Sequence, residues 1–416
     1  MNIDMKGAAI IAVATAGIAA GAYTLGKQQG GNKGVTPQAS APLSSAPAPQ
    51  VATGLPSAHP SIDAPAATGT ATAGADPNAA FTHFRVGNRN VKSIYADGDL
   101  MWIGTSGGVI RYDVKTDQYK LFDNRSGLLS NGVFYVGKLG ERIAIGTYGG
   151  GLSLLDPRTE QWSNYNVPHG LADAFVYEVL EAANGDLWIA TWSGANRIRG
   201  GRLDDRGAWD TYTVENTSGG LPNDWVYGLD EGPDGTIWLG TEGGLARFKD
   251  GKWENWQHAD GLGEKYDLVK GDIQFTNDPG KASSHHARQK SEQGLENVDI
   301  AYNPNYIISM AVDKEGVVWC GTWGGGLARF DNGKWRNFTV KDGLPANHIF
   351  MLREDEAGQL WVGTSGGLVA FKEGQSKVYT TADGLFSNNV FSMAEGPNNS
   401  RWVGSYGGVA RIVALQ

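Results

Sequence analysis

Seven short phrases in this sequence closely follow the pattern Thr-X-Gly-Gly, and X is the position that varies. In chain order X is Ser106, Tyr148, Trp192, Glu242, Trp323, Ser365 and Tyr406. Four are large aromatics and one is a carboxylate. Rings offer a wide apolar contact area and a carboxylate offers a directional acceptor, so the chemistry available here is recognition. The connections that lead into each following repeat add Asn131, Asp173, Asn223, Asp224, Asn347, His348, Asn388 and Asn389. From the two sets, the residues expected to bind a ligand or partner are Tyr148, Trp192, Glu242, Trp323, Tyr406, Asn223, Asp224, His348 and Asn389. Such a surface suits a sugar, a peptide or a protein loop.

Groups for acid, base or metal chemistry are few: Glu242, His285, His286 and His348. His285 and His286 sit side by side in "SSHHARQK", and spacing places no third ligand beside them. The pair reads as part of a solvated polar loop, and no metal site is expected. No GxSxG, HExxH, P-loop or dinucleotide fingerprint stands in a suitable context, because the turns "GTSGG" and "GTYGGG" lead into strands rather than helices. The single cysteine, Cys320, excludes a disulfide framework, a Cys-rich zinc site and a CxxCH haem attachment. It takes the usual aliphatic place after Trp319 and reads as a core thiol. No catalytic residue and no cofactor is expected.

The chain that carries these residues has 416 residues, with 35 Lys+Arg against 44 Asp+Glu and a net charge of -9. An acidic chain without a basic block lacks the electrostatic footprint of a nucleic-acid binder. Its 60 glycines and 14 tryptophans point to a turn-rich, aromatic-rich all-β protein.

Internal repetition gives the architecture. "LMWIGTSGGVIRYD" recurs as "RIAIGTYGGGLSLLD", "DLWIATWSGANRI", "TIWLGTEGGLARFKD", "VVWCGTWGGGLARFD", "QLWVGTSGGLVAFK" and "SRWVGSYGGVARI". The place of Gly104 is next taken by Gly146, Ala190, Gly240, Gly321, Gly363 and Gly404. The step between Gly240 and Gly321 is about twice the others and holds no such phrase, so residues 263–304 are read as a long loop inserted on the face of the variable turns. Each repeat supplies four strands. The second carries a tryptophan (Trp102, Trp188, Trp238, Trp319, Trp361 and Trp402) that is expected to pack between blades. The fourth carries aromatics three apart, such as Trp253 and Trp256, which point to opposite faces of a sheet packed on both sides. The last repeat ends after its third strand, and "AFTHFRVGN" at the other end supplies Phe81 and Phe84 as a lone fourth strand. The expected fold is therefore an all-β, seven-bladed β-propeller of four-stranded blades, spanning 81–416 and closed by the N-terminal strand completing the last blade.

"GLPNDWVYGLDEGPDGTIWLGTEGGLARF" and "DGLFSNNVFSMAEG…RWVGSYGGVARI" resemble the two-component regulator propeller repeat. The resemblance covers essentially all of 81–416. It implies a periplasmic ligand-binding propeller of the kind that serves hybrid sensor kinases. This chain has a single ring and no kinase module, so the resemblance implies an output through a partner.

Residues Gly7 to Gly26 carry no charge and are flanked by Lys6 and Lys27. Residues 1–30 are read as a transmembrane anchor or a signal peptide, with Ala20-Gly21-Ala22 as the small-x-small alternative. Residues 31–80 hold 8 of the 16 prolines and read as a disordered tether. The expectation is a non-enzymatic, periplasmic or otherwise extracytoplasmic propeller, tethered to the inner membrane by its N-terminal helix. It would act as a protein-binding or assembly module through its aromatic face and inserted loop. One alternative is a glycan-binding, sensor-type module with a separate signalling partner, and a second is a streptogramin-lyase-like enzyme.

Overall fold

The computed structural model describes residues 68–71, 79–275 and 278–413. The expected anchor and most of the expected tether lie outside the described residues. Strand β1 (Thr68–Thr70) falls within the tether range and pairs with β5 (Gln118–Phe122).

Short antiparallel strands joined by tight turns make up the body. Strand β2 (Phe81–Asp97) leads into β3 (Leu100–Thr105), β4 (Gly108–Asp113) and β5. Two four-stranded sheets follow. One is β6 (Val133–Leu139), β7 (Arg142–Thr147), β8 (Leu152–Leu155) and β9 (Trp162–Tyr165), and the next is β10 (Val176–Glu181), β11 (Leu187–Thr191), β12 (Gly194–Ile198) and β13 (Trp209–Tyr212). The third is β14 (Val226–Glu231), β15 (Ile237–Thr241), β16 (Gly244–Lys249) and β17 (Lys252–Trp256). Three short helices follow it: α1 (Tyr266–Val269), α2 (Pro279–Ala282) and α3 (Ser284–Glu292). The fourth sheet is β18 (Asn303–Val312), β19 (Val318–Trp323), β20 (Leu327–Asp331) and β21 (Lys334–Phe338). The fifth is β22 (Ile349–Glu354), β23 (Leu360–Thr364), β24 (Leu368–Phe371) and β25 (Lys377–Tyr379), before β26 (Val390–Gly396) and β27 (Ser400–Val413).

The all-β propeller is present, but the count of seven separate blades is not. Five four-stranded blades stand alone, and the remaining strands form one seven-stranded sheet in the order β1-β5-β4-β3-β2-β27-β26. The reason is a continuous ladder. The first part of β2 pairs with β27, from Phe81↔Ile412 to Arg85↔Gly408, and the same strand pairs with β3 from Val91↔Thr105 onward. The register shifts between Arg85 and Asn90 without ending the strand. Hydrogen bonding thus runs through the place where two blades were expected to part. Among the described residues no helix is long and apolar enough to cross a membrane.

The repeated turn is built locally. In β15–β16, Thr241 Oγ1 donates to Gly244 O (2.8 Å) and accepts from Gly243 N (3.1 Å). Gly244 has φ +133°, and a Cβ there would lie 2.4 Å from Trp256 O, so only glycine fits. The strand tryptophans are buried between sheets as expected, with Trp102 and Trp402 at 0% exposure and Trp188 at 1%. Cys320 is also buried, in the same cluster as Trp238 and Leu245.

Candidate functional site

The variable turns meet the connections that enter the next sheet. Gly108 N donates to Asn131 O (2.7 Å), Gly194 N to Asp224 O (2.7 Å) and Gly326 N to Asn347 O (3.0 Å). These bonds put both sets of candidate residues on one face.

Four of the expected binding residues, Tyr148, Trp192, Trp323 and His348, join one arc of aromatic contacts. Tyr148 meets Phe175 edge-on at 4.6 Å, Phe175 meets Trp192 at 4.6 Å, and Trp192 meets Trp225 at 4.3 Å. The His285 ring lies flat on Trp225 at 3.4 Å and 11°. His286 stacks on Tyr306 (5.7 Å), Tyr306 stacks on Trp323 (5.7 Å), and Trp323 meets His348 edge-on at 5.1 Å. Burial pushes the Tyr148 phenol up to about 12.

Glu242 lies beneath α3 with 0% exposure. Its two carboxylate oxygens accept from His285 Nε2 (3.1 Å) and from His286 Nδ1. Burial pushes its pKa upward, but His286 and His285 outweigh burial and hold it at about 2. The histidines are therefore not in a solvated loop. They are the contact by which the inserted segment docks on the face. The segment has its own anchors: a buried Lys290–Asp278 ion pair (2.7 Å), Lys290 Nζ donating to Val298 O (2.6 Å), and Tyr302 OH donating to Glu264 O (2.7 Å). Phe275 covers Trp323 (5.6 Å) and His348 (4.9 Å). Among the described residues no cluster of His, Cys, Asp and Glu has metal-site geometry.

The other candidates are placed differently. Asn223 Oδ1 accepts from Trp225 N (2.8 Å) and Asp224 Oδ1 from Val214 N (2.7 Å), so both side chains hold their own loop. Tyr406 and Asn389 are half-buried and outside the arc, with Tyr406 opposite Asn90 on β27. Sequence reasoning missed Trp225, Tyr306 and Phe275. Trp225 and Tyr306 each stand directly before the buried residue that precedes a β-bulge (Val226 and Ile307), a place that Phe175 also holds in its repeat, and that recurrence was the available signal.

His348 is 1% exposed, and its Nε2 bonds Ala301 O at 2.9 Å. Burial lowers its pKa to about 4, from an ordinary value of 6.5. Below pH 6.5 the unfolded chain binds a proton that the folded ring refuses. Stability from this group is complete above about 6.5 and declines as pH falls toward 4, by up to about 3 kcal/mol. Thermal melts across this window should show the decline in the parent and a shallower slope in His348→Gln.

Comparison with known proteins adds the class. Residues 220–243, 301–324 and 343–366 match the two component regulator propeller family. The chain carries two component regulator propeller repeats. No curated protein sequence matches it. Among solved structures it is similar to the extracellular domain of BT3049, a hybrid two component system of B. thetaiotaomicron, with 19% identity and TM-score 0.58, covering 78% of this chain and 40% of that one. The extracellular domain of the hybrid two component system BT4673 from the same organism gives 18% identity and TM-score 0.58, covering 81% and 40%. The chain thus spans about two fifths of the length of these relatives. Catalytically inactive virginiamycin B lyase from Staphylococcus aureus, solved with quinupristin, gives 10% identity and TM-score 0.54, covering 80% and 99%. At these identities the likeness is one of fold.

Proposed function

We propose that this chain is a non-enzymatic extracytoplasmic binding module that meets a protein partner through the variable-turn face and the segment folded over it. The observation that supports this is the docked state of the segment. Trp192, Glu242, Trp323 and His348 are each at most 8% exposed, so they form no open pocket for a small ligand. What α3 turns outward is mostly polar: Arg288, Ser291 and Glu292 are exposed while His286 and Lys290 point inward and are buried, and α1 adds one exposed apolar side chain, Leu268. A helix with one face fixed to the ring and the other solvated presents a rigid surface to a macromolecule. The uncharged stretch Gly7 to Gly26 would hold the module at the inner membrane.

A second reading, a sensor-type module working with a separate signalling partner, draws on the similarity to extracellular domains of two component systems. Its ligand would be a glycan or another small molecule.

Full-length chain extracted from membranes in mild detergent should co-elute with a stoichiometric partner, with crosslinks at Arg288, Ser291 or Glu292 and near Tyr148. A lone propeller whose melting temperature rises with glycans would move the conclusion to the sensor reading. Crosslinks confined to the opposite face would overturn the proposed surface.

A further inference from the structure

The strand nearest the axis in each repeat carries a β-bulge at the same register. The ladder skips Lys92 in β2, Phe134 in β6, Tyr177 in β10 and Tyr227 in β14. It skips Ile308 in β18, Phe350 in β22 and Phe391 in β26. A bulge re-aims its extra residue away from the ladder. The residue before each bulge is buried at 0–3% exposure, whereas each bulged side chain keeps partial exposure. Neighbouring bulged rings touch: Phe134–Tyr177 at 4.5 Å, Tyr177–Tyr227 at 4.7 Å and Phe350–Phe391 at 5.3 Å. They form a solvent-reachable aromatic belt around the axis, with one cation in it.

That cation is Lys92. Its Nζ stands 5.3 Å from the centre of the Phe391 ring. Among the described residues no carboxylate forms an ion pair with it, and burial lowers its pKa below the ordinary value. An ammonium that gives up water without gaining a counter-ion is costly, and an incoming anion would relieve that cost. The aromatic faces beside it would cover an apolar body. We propose that the axial belt is a binding site for a small aromatic carboxylate, with the carboxylate on Lys92 Nζ and the ring against Phe391 and Phe350. This site adjoins the variable-turn arc, since Phe350 also meets Phe275 (5.8 Å) and Trp323 (6.2 Å), but neither proposal depends on the other.

The test uses benzoate and benzamide as probes on the full chain, with affinity read by calorimetry and folding by thermal melts. Benzoate should bind at least about tenfold more tightly than benzamide. Lys92→Met should remove that preference while Lys92→Arg keeps it. Equal binding of the two probes, no benzoate binding, or an unchanged preference in Lys92→Met would overturn the proposal. Should Lys92→Met fail to fold, Lys92→Arg with Phe391→Leu decides it, because loss of ring contact must then weaken benzoate.

Discussion

A His285→Ala/His286→Ala double variant is expected to lose about 3–5 kcal/mol, because it leaves Glu242 buried without a partner. The alternative to carrying that charge is to let water in, which requires α3 to leave the ring. The measurable consequences are a lower denaturation midpoint and faster amide exchange across the inserted segment. Trp225 emission should change too, since the ring lying 3.4 Å above it is gone. Glu242→Gln separates charge from contact. An amide still bonds imidazole nitrogens, so this variant should keep the segment docked at a smaller cost. It should also abolish one acid transition. Because the folded pKa of Glu242 is depressed to about 2, its contribution is present above the unfolded value of 4.5 and is lost as pH falls through about 2. A double-alanine variant as stable as the parent, with unchanged exchange, would remove the docking contact from the account.

The second large effect concerns the closure of the ring. Trp402 is fully buried, stacks on Phe84 at 5.0 Å and 22°, meets Tyr112 at 5.5 Å, and donates from Nε1 to Ser400 Oγ (3.0 Å). Trp402→Ala should cost about 3–5 kcal/mol in urea unfolding. Because Phe84 belongs to β2 and Trp402 to β27, the two substitutions should couple. Phe84→Ala combined with Trp402→Ala should cost less than the sum by about 0.5–1.5 kcal/mol. Strict additivity would mean that the stacked pair contributes no more than its buried area.

Much of this was legible in the residues. Trp102, Trp188 and Trp402 repeat at one place in a phrase, and a residue type that recurs at one place in a repeat reports a shared packing environment. The phrases do not report whether hydrogen bonding continues from one unit to the next. That depends on β2 running on as one strand from Arg85 to Asn90 across a register shift and the positive-φ Gly87, which is why a tally of phrases gave seven separate blades where five stand alone. At the site, Tyr148, Trp192 and Trp323 were legible as a group because they share a turn position. The partners of Glu242 were not, since His285 and His286 lie 43 and 44 residues away in a segment outside the repeat. For Asn223 and Asp224 residue type could not separate a loop role from a ligand role, because an amide or carboxylate in a turn serves the turn's own N–H groups, as both do here, as readily as a guest's.

The pairing of β2 with β27 also fixes how the molecule answers a pull. Phe81 and Ile412, the outermost rungs, are opposite each other in an antiparallel ladder. Tension applied between these two positions acts along the rungs rather than perpendicular to them, so it opens the ladder one hydrogen-bonded pair at a time, from Phe81 inward. Mechanically the junction is a zipper, not a clasp loaded in shear. Buried Ile412 and Thr82 would be uncovered first, then Phe84 two rungs later, and with it the face of Trp402.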